Sequence, residues 1–139
     1  MKFRHSCIIV KNFEESIKFY TELFGFRVAK QLTLEGEYPE TAFRLLEDVK
    51  LTYVKLLDST QKDDDIPILE LHYWEKPNFK KHFSMSHIAI TVDDIEKEYE
   101  KLIKAGVKFL SKPIQATDSN SKVCFCLDNS LNFIELVED

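Results

Sequence analysis

The most constraining feature of this sequence is a stretch that occurs twice. HSCIIVKNFEESIKFY begins at His5, and HIAITVDDIEKEYEKL begins at His87. Each copy opens with a histidine on an apolar run, passes through a polar break, and enters an amphipathic helix that ends at a glycine. Internal repetition of this kind indicates a duplicated supersecondary unit. We therefore predict one domain over residues 1–139, built from two modules at about 1–75 and 85–139.

Composition and charge favour a protein that handles a small molecule. The chain has 139 residues and 44% hydrophobic content, enough to bury a core without disulfides. Its net charge is −5 and neither sign forms a long block, which argues against a nucleic-acid partner. No stretch approaches the roughly 20 apolar residues of a membrane span, and the first apolar run is too short for a signal peptide. We expect a soluble, cytoplasmic protein with no membrane partner.

Apolar periodicity predicts the order β-α-β-β-β in each module. In the first module the predicted strands cover residues 3–10, 26–34, 50–57 and 67–74. The first of these is apolar at nearly every position, which predicts burial of one face and favours burial of both. Residues 41–48 fit either a strand or one to two helical turns, and their role stays open between a lid, a dimer contact and no special function. Residues 58–65 are expected to form a solvated acidic loop.

The same analysis predicts helix ends and three further strands. Asn12 is expected to cap the first helix, and Asp93 with Glu96 is spaced as a capping box for the second. The second helix carries an apolar stripe at Ile95, Tyr99, Leu102 and Ile103. The segments VKFLSKPI, VCFCLD and NFIELVED are the three strands, and Cys124 and Cys126 are expected to be reduced thiols packed as small hydrophobic side chains.

One histidine and one glutamate recur at equivalent places in the two modules. His5 and His87 open the first strands, whereas Glu70 and Glu135 lie between aliphatic neighbours in the closing strands. Each histidine alone is more typical of a hydrogen-bonded core residue, and each glutamate alone of a solvated edge, but the repetition favours a shared role. Burying such carboxylates costs several kcal/mol each unless a cation compensates. These four residues are therefore predicted to bind one divalent metal ion.

The predicted donor set also indicates a type of chemistry. Two imidazoles and two carboxylates suit a borderline ion, with nickel or zinc expected first and cobalt, manganese or iron as alternatives. Four ligands leave two octahedral positions open for a substrate with two adjacent oxygens. The ion would then hold an enediolate while Glu70 or Glu135, as catalytic residue, moves a proton on the neighbouring carbon.

The segments HSCIIVKNFEESIKFYTELFGF, HIAITVDDIEKEYEKLIKAGV and NFIELVED resemble the vicinal oxygen chelate superfamily, which includes glyoxalase I and bleomycin-resistance-type proteins. The resemblance implies an α+β fold of paired βαβββ modules whose strands form a curled, cup-shaped mixed sheet with helices outside. It also implies that His5, Glu70, His87 and Glu135 match the metal ligands of glyoxalase I, a lactoylglutathione lyase. In small bacterial enzymes of that type a second subunit often completes the cup, so a homodimer is expected.

Departures from that family bear on the substrate. In bacterial glyoxalase I an arginine four residues after the first histidine and an asparagine four after the first glutamate hold glutathione, and here these places are Ile9 and Trp74. The turn before the last strand keeps Asp128 and Asn132. By strand alternation, the predicted substrate-binding wall shares the ligands' face of each strand. It comprises Cys7, Ile9, His72, Trp74, Thr91 and Phe133.

Two functions from different classes fit this sequence. The first is a metal-dependent isomerase or lyase of glyoxalase type, acting on a small α-hydroxycarbonyl or α-ketoaldehyde adduct. The alternative is a non-catalytic, ligand-sequestering protein of the bleomycin-resistance type, for which the aromatic wall would suffice. An extradiol oxygenase is disfavoured because its metal has only three protein ligands, whereas an epimerase acting beside a thioester carbonyl stays open.

Overall fold

The computed structural model describes residues 5–35, 49–77, 87–115 and 120–139. The chain divides into two compact units, Met1–His82 and Phe83–Asp139. The prediction for residues 41–48 lies outside the described residues. Within the described residues, no helix has the length and apolar character needed to cross a membrane.

The described residues of the first unit form a mixed four-stranded sheet with one helix. Its strands lie in the order β1-β4-β3-β2, in which β1 and β4 are parallel and the other neighbours are antiparallel. The predicted β-α-β-β-β order is confirmed for this unit. The elements are β1 (Ser6–Ile9), α1 (Phe13–Lys18) with a π-helical turn (Phe19–Leu23), β2 (Arg27–Glu35), β3 (Lys50–Leu57) and β4 (Leu69–Lys76).

Helix α1 begins and ends as its sequence predicts, but its last turn widens. The Asn12 side chain accepts a hydrogen bond from the Glu15 amide at 3.2 Å, which caps the first turn. After Lys18 the backbone continues as a π-helical turn, in which the rings of Phe19, Tyr20 and Phe24 pack with centroids 5.4–6.1 Å apart. Gly25 then leaves the helix at φ 71°, a conformation that favours glycine.

Strand β1 differs from its prediction in burial. Ser6 and Ile8 are half-buried, whereas Cys7 and Ile9 on the opposite face are exposed. The expectation of burial on both faces is therefore wrong. The physical reason is that α1 covers only one face of the sheet, as the contact between the Phe13 and Tyr73 rings at 6.3 Å shows.

The second unit repeats the plan with one change. Its strands lie in the order β5-β9-β8-β6, and the short β7 also pairs with β8. The predicted single strand over VKFLSKPI is wrong, because the segment forms two short strands separated by residues 110–113. Pro113 has no backbone N–H to donate to a ladder, which explains the interruption. The elements are β5 (His87–Thr91), α2 (Ile95–Lys104), β6 (Lys108–Phe109), β7 (Ile114–Gln115), β8 (Lys122–Leu127) and β9 (Phe133–Glu138).

Helix α2 differs from its prediction in two details. Its N-cap is Asp94, whose side chain accepts a hydrogen bond from the Lys97 amide at 3.0 Å, and not Asp93. Either aspartate could cap by residue type, but Asp94 has the extended backbone that an N-cap needs. Ile95 and Leu102 are buried as predicted, whereas Ile103 is exposed at the edge of the apolar stripe.

Among the described residues, each sheet has one face covered by a helix, and we call the opposite face, which no described helix covers, the helix-free face. In the first unit Tyr73 contacts α1, so its alternating neighbours Glu70, His72 and Trp74 lie on the helix-free face. In the second unit Glu138 Oε2 accepts a hydrogen bond from the Ile95 amide at 2.6 Å, so Glu135 lies on the face away from α2. Both units thus have the mixed α+β character that the sequence predicts.

Candidate functional site

The first half of the candidate site is organised around the Glu70 carboxylate on β4. Cys7 of β1 and Lys55 of β3 are its neighbours across the ladder. Its Oε2 atom lies 3.7 Å from His5 Nε2 and 2.9 Å from His72 Nε2. The side chain is only 8% exposed. Strand register therefore brings the two predicted ligands of this module together on the helix-free face.

Lys55 is a partner of Glu70 that the sequence analysis missed. Its Nζ atom lies 3.0 Å from Glu70 Oε1, so the two carboxylate oxygens have different partners. Burial acts to raise the pKa of Glu70, but the hydrogen bonds from His72 and Lys55 outweigh burial and lower it below the ordinary value. The signal was a lysine in the middle of the apolar strand KLTYVKLL, but linking it to Glu70 requires the register of β3 against β4.

Lys55 also changes the physical argument for a metal. A buried carboxylate needs a positive charge, and in this unit the ammonium group supplies one. Glu135 in the second unit is 21% exposed and so is less completely removed from water. Desolvation of the two glutamates therefore does not by itself require a metal ion. The argument for a metal site rests instead on the positions of the donor atoms.

His72 joins this carboxylate to an aromatic cluster. Its ring lies 5.3 Å from that of Tyr53 and 6.3 Å from that of Trp74, all on the helix-free face. Burial lowers the pKa of His72, while the bond to Glu70 acts in the opposite direction without cancelling it. The imidazole is therefore neutral at pH 7 and donates one N–H to the carboxylate.

The second half of the candidate site is a simpler pair. His87 Nε2 lies 3.1 Å from Glu135 Oε2, across the parallel ladder between β5 and β9. The Phe125 ring meets the His87 ring edge-on at 5.3 Å and supports its orientation. Phe125 on β8 is the register partner of Glu135. It occupies the position that corresponds to Lys55, the register partner of Glu70 on β3.

The predicted substrate-binding residues also lie on the helix-free faces. Cys7, Ile9 and Thr91 are exposed, His72 and Trp74 are half-buried, and Phe133 is buried. In the parallel ladders, Cys7 lies beside Glu70, Ile9 beside His72 and Phe133 beside His87. In the second unit only Phe133 is therefore beside a predicted ligand, because Thr91 has Val137 as its register partner.

The other two cysteines, Cys124 and Cys126, do not lie on the helix-free faces. Cys124 and Cys126 are buried free thiols whose register partners Leu136 and Ile134 lie on the helix side of β9. Burial raises the pKa of Cys124 to about 11 and that of Cys126 to about 12, so neither is a ready thiolate ligand. Their predicted role as small hydrophobic side chains is confirmed.

The donor chemistry of each half fits a divalent ion of the predicted type. In each unit an imidazole nitrogen and a carboxylate oxygen face each other, and N and O donors suit nickel and zinc. Within the part of the chain that the structure describes, no three His, Cys, Asp or Glu side chains form a group that could hold a metal.

The turn before β9 holds the end of the strand that carries Glu135. Asp128 is buried, and its Oδ1 accepts hydrogen bonds from the Ser130 and Asn132 amides at 2.8 and 2.7 Å. The Asn132 side chain donates to the other Asp128 oxygen at 2.7 Å. These bonds hold Leu131 at φ 67°, in the left-handed region that few side chains adopt.

Comparison with known proteins agrees with this fold. A glyoxalase family protein from Bacillus cereus matches with a TM-score of 0.81 at 18% identity, over 99% of this chain and 93% of that one. The trypanothione-dependent glyoxalase I of Leishmania major matches with a TM-score of 0.72 at 27% identity, over 99% of this chain and 86% of that one. The fold is thus that of the glyoxalase class.

The sequence comparisons identify the family. Residues 2–136 match the Glyoxalase/Bleomycin resistance protein/Dioxygenase superfamily, and the chain belongs to it. A lactoylglutathione lyase from Schizosaccharomyces pombe is 30% identical over 98% of this chain. The chain spans only 47% of the length of that relative, which is therefore about twice as long.

Proposed function

We propose that this protein is a metal-dependent isomerase of glyoxalase type. The observation that carries the proposal is the repeated pairing of His5 with Glu70 and of His87 with Glu135, each on the helix-free face of its unit. The likeness to lactoylglutathione lyases supports the same reaction class. The substrate is proposed to be the adduct of a thiol with a small α-ketoaldehyde.

The four residues are proposed to form one site for a divalent ion, with nickel or zinc preferred. Bound there, such an ion would polarise two adjacent oxygens of the substrate. The pairs would meet within one chain or between two copies of a homodimer, in which an isologous interface would produce two sites. Buried thiols at Cys124 and Cys126 are compatible with a cytoplasmic location.

The protein's own part in the reaction is a proton transfer between neighbouring carbons. A hemithioacetal carries a hydrogen and a hydroxyl on the carbon beside a ketone. A glutamate carboxylate, from Glu70 or Glu135, accepts the carbon-bound proton and returns it to the former ketone carbon. The hydroxyl proton moves to the former ketone oxygen, so the product is an α-hydroxy thioester with the same atoms.

The surrounding side chains are proposed to position the substrate. Trp74, Ile9 and Phe133 offer apolar surface, whereas Cys7 and Thr91 are small and only weakly polar. His72 would keep the Glu70 oxygen oriented through its 2.9 Å bond. Such a wall fits a less anionic, more apolar adduct than one with glutathione.

The test combines metal analysis with an isomerisation assay. Metal-stripped protein is loaded with nickel or zinc, and thioester formation is measured with methylglyoxal and a small thiol. We expect activity in the loaded protein and a loss of at least about a hundredfold in Glu135→Gln, the typical scale of general acid–base catalysis. Glu100→Gln on the exposed surface of α2 is the matched control. Equal rates for the two variants would contradict the proposal.

A second function is favoured by one observation, the ring cluster of Tyr53, His72 and Trp74. Three rings on one face could bind a planar aromatic ligand without chemistry, as a bleomycin-resistance-type protein would. Tight binding of such a ligand by Trp74 fluorescence, in protein that shows no turnover with any metal, would favour this alternative.

A further inference from the structure

Lys55 is placed where the glyoxalase reaction does not need it. It projects from β3 towards its register partner Glu70, with 3.0 Å between its Nζ and the carboxylate Oε1. The ammonium also lies 5.6 Å from the centroid of the Tyr53 ring, which faces it from the same strand. Its side chain is 28% exposed. The lysine is thus held between an acidic and an aromatic partner at the edge of the candidate site.

The two oxygens of Glu70 consequently face different charges. Oε1 is bound by the ammonium, whereas the imidazoles of His5 and His72 approach Oε2. A divalent ion that binds Oε2 would meet a carboxylate whose charge is already partly balanced. It would also be repelled by the ammonium, more strongly than in water because the carboxylate is buried.

The repeat offers an internal comparison for this arrangement. Glu135 has Phe125 as its register partner, where Glu70 has Lys55. Among the described residues, the ion-pair partner of Glu135 is His87 alone. In the part of the chain that the structure describes, the extra positive charge therefore belongs to one half of the candidate site and does not come from the βαβββ unit itself.

We propose that Lys55 is an internal counter-ion of Glu70, which stabilises the metal-free first half of the site and weakens its affinity for a divalent metal ion. The inference rests on the proposed function in taking Glu70 as a metal ligand. Lys55 is a positioning and charge-balancing residue here and makes no contact with the substrate. Removing its charge should tighten metal binding while making the metal-free protein less stable.

The experiment measures zinc affinity by competition with a fluorescent chelator, using the full chain after metal stripping. The variants are Lys55→Met, which keeps the apolar stem, Lys55→Arg, which keeps the charge, and Lys30→Met as the control. Lys30 is exposed and is the register partner of Lys55 on β2, and Lys30→Met removes the same charge as Lys55→Met. We expect zinc affinity to rise about tenfold or more in Lys55→Met and to stay close to wild type in the other two.

Thermal unfolding supplies a second readout. Without metal, Lys55→Met should melt at a lower temperature than Lys30→Met, and saturating zinc should restore more stability to Lys55→Met than to wild type. If Lys55→Met does not fold without metal, Lys55→Gln takes its place, because its amide can still donate to Glu70 without the charge. It too should bind zinc more tightly than wild type.

The outcomes separate this inference from the proposed function. Zinc affinity in Lys55→Met or Lys55→Gln equal to or weaker than that of Lys30→Met overturns the counter-ion role. The proposed function stands in that case if the wild-type protein binds metal and isomerises hemithioacetals. Absence of zinc binding in every variant, wild type included, overturns both.

Discussion

His72 lies two residues after Glu70 on β4, and its Nε2 atom is 2.9 Å from the Glu70 Oε2 atom. The corresponding place after Glu135 on β9 is Val137, so the second module has an aliphatic side chain where the first has an imidazole. The duplicated units therefore keep the His–Glu pair in common and differ in what surrounds the glutamate. Besides this pair, the first unit places His72 and Lys55 near its glutamate, and the second unit has Val137 and Phe125 at the corresponding positions.

The bond between His72 and Glu70 should stabilise the metal-free fold. His72→Phe keeps an aromatic ring beside Tyr53 and Trp74 but removes the donor to a buried carboxylate. We expect the free energy of unfolding to fall by about 1.5–3 kcal/mol, the usual worth of a hydrogen bond to a charged group. Urea unfolding in the presence of a chelator measures it. In a double-mutant cycle with Glu70→Gln, purely additive effects would contradict the proposed contact.

Asp58 should make stability depend on pH through the loop after β3. Its Oδ1 accepts hydrogen bonds from the Thr60 amide and hydroxyl and from the Gln61 amide, at 2.7–3.1 Å. Burial acts to raise the pKa of Asp58, but these bonds and the nearby Arg27 outweigh burial and lower it. The folded state therefore binds its proton less readily than the unfolded state. The resulting stability is present above the ordinary carboxyl pKa and disappears as pH falls through the folded value.

Asp58→Asn should accordingly be less stable than wild type at pH 7, by roughly 0.5–1.5 kcal/mol, since the weaker neutral acceptor remains. The difference should vanish as pH falls through the lowered pKa of Asp58. Asp64→Asn, an exposed change of the same charge in the same loop, is the control and should follow wild type. A stability gap between Asp58→Asn and wild type that stays constant down to pH 2 would rule out this linkage.

Leu131 should be a site at which glycine stabilises the protein. Its φ of 67° is unfavourable for a side chain, and 49% of its surface is exposed, so little packing is lost on removal. Leu131→Gly should raise the free energy of unfolding by about 0.5–1 kcal/mol. Glycine removes the strain of the left-handed conformation, and the greater flexibility of glycine in the unfolded chain offsets part of this gain. Leu110→Gly, at another exposed leucine without positive φ, should lower it. Chemical denaturation compares the two, and destabilisation of both to the same extent would refute the strain argument.

Much of the fold and half-site geometry follows from local sequence pattern. Strand alternation has a strict period of two, so it correctly placed Glu70, His72 and Trp74 on one face. The cap at Asn12 and the glycine after α1 follow from backbone preferences within a few residues. These features need no knowledge of which strand lies beside which.

The missed features depend on long-range register or on choices between equivalent neighbours. Lys55 reaches Glu70 only because β3 and β4 pair in one particular register across an 11-residue connection, Asp58–Ile68. Asp93 and Asp94 have the same side chain, and only backbone geometry decides which one caps α2. The π-helical turn at the end of α1 arises where three aromatic rings pack, which helical periodicity does not encode.

Paired substitutions should show whether the two halves of the proposed metal site come from one chain or from two. One variant carries His5→Ala with Glu70→Gln, and the other carries His87→Ala with Glu135→Gln, so each keeps one intact pair. If the pairs meet across a two-fold homodimer, unfolding and refolding an equal mixture should regenerate about a quarter of the wild-type sites by random pairing. Zinc content and isomerase rate measure the recovery. Each variant refolded alone is the control, and a mixture no better than the separate variants would place the proposed site within one chain.

The last prediction concerns the thiol part of the substrate. Ile9 is 44% exposed on the helix-free face, and its register partner is His72, two residues beyond Glu70 on β4. The resemblance to bacterial glyoxalase I puts an arginine at this position as an anchor for glutathione. Without that anchor, the wild-type protein should turn over the hemithioacetal of a small neutral thiol more efficiently than that of glutathione.

Ile9→Arg should reverse part of this preference. One charge-assisted hydrogen bond to a glutathione carboxylate is worth ~1.5–3 kcal/mol, so kcat/KM for the glutathione adduct should rise roughly tenfold or more. The rate with the neutral adduct should change little, because no carboxylate meets the new charge. Ile9→Met is the matched control, since it has a long side chain without charge. Efficient turnover of the glutathione adduct by wild-type protein, with no gain in Ile9→Arg, would show that another residue anchors the thiol.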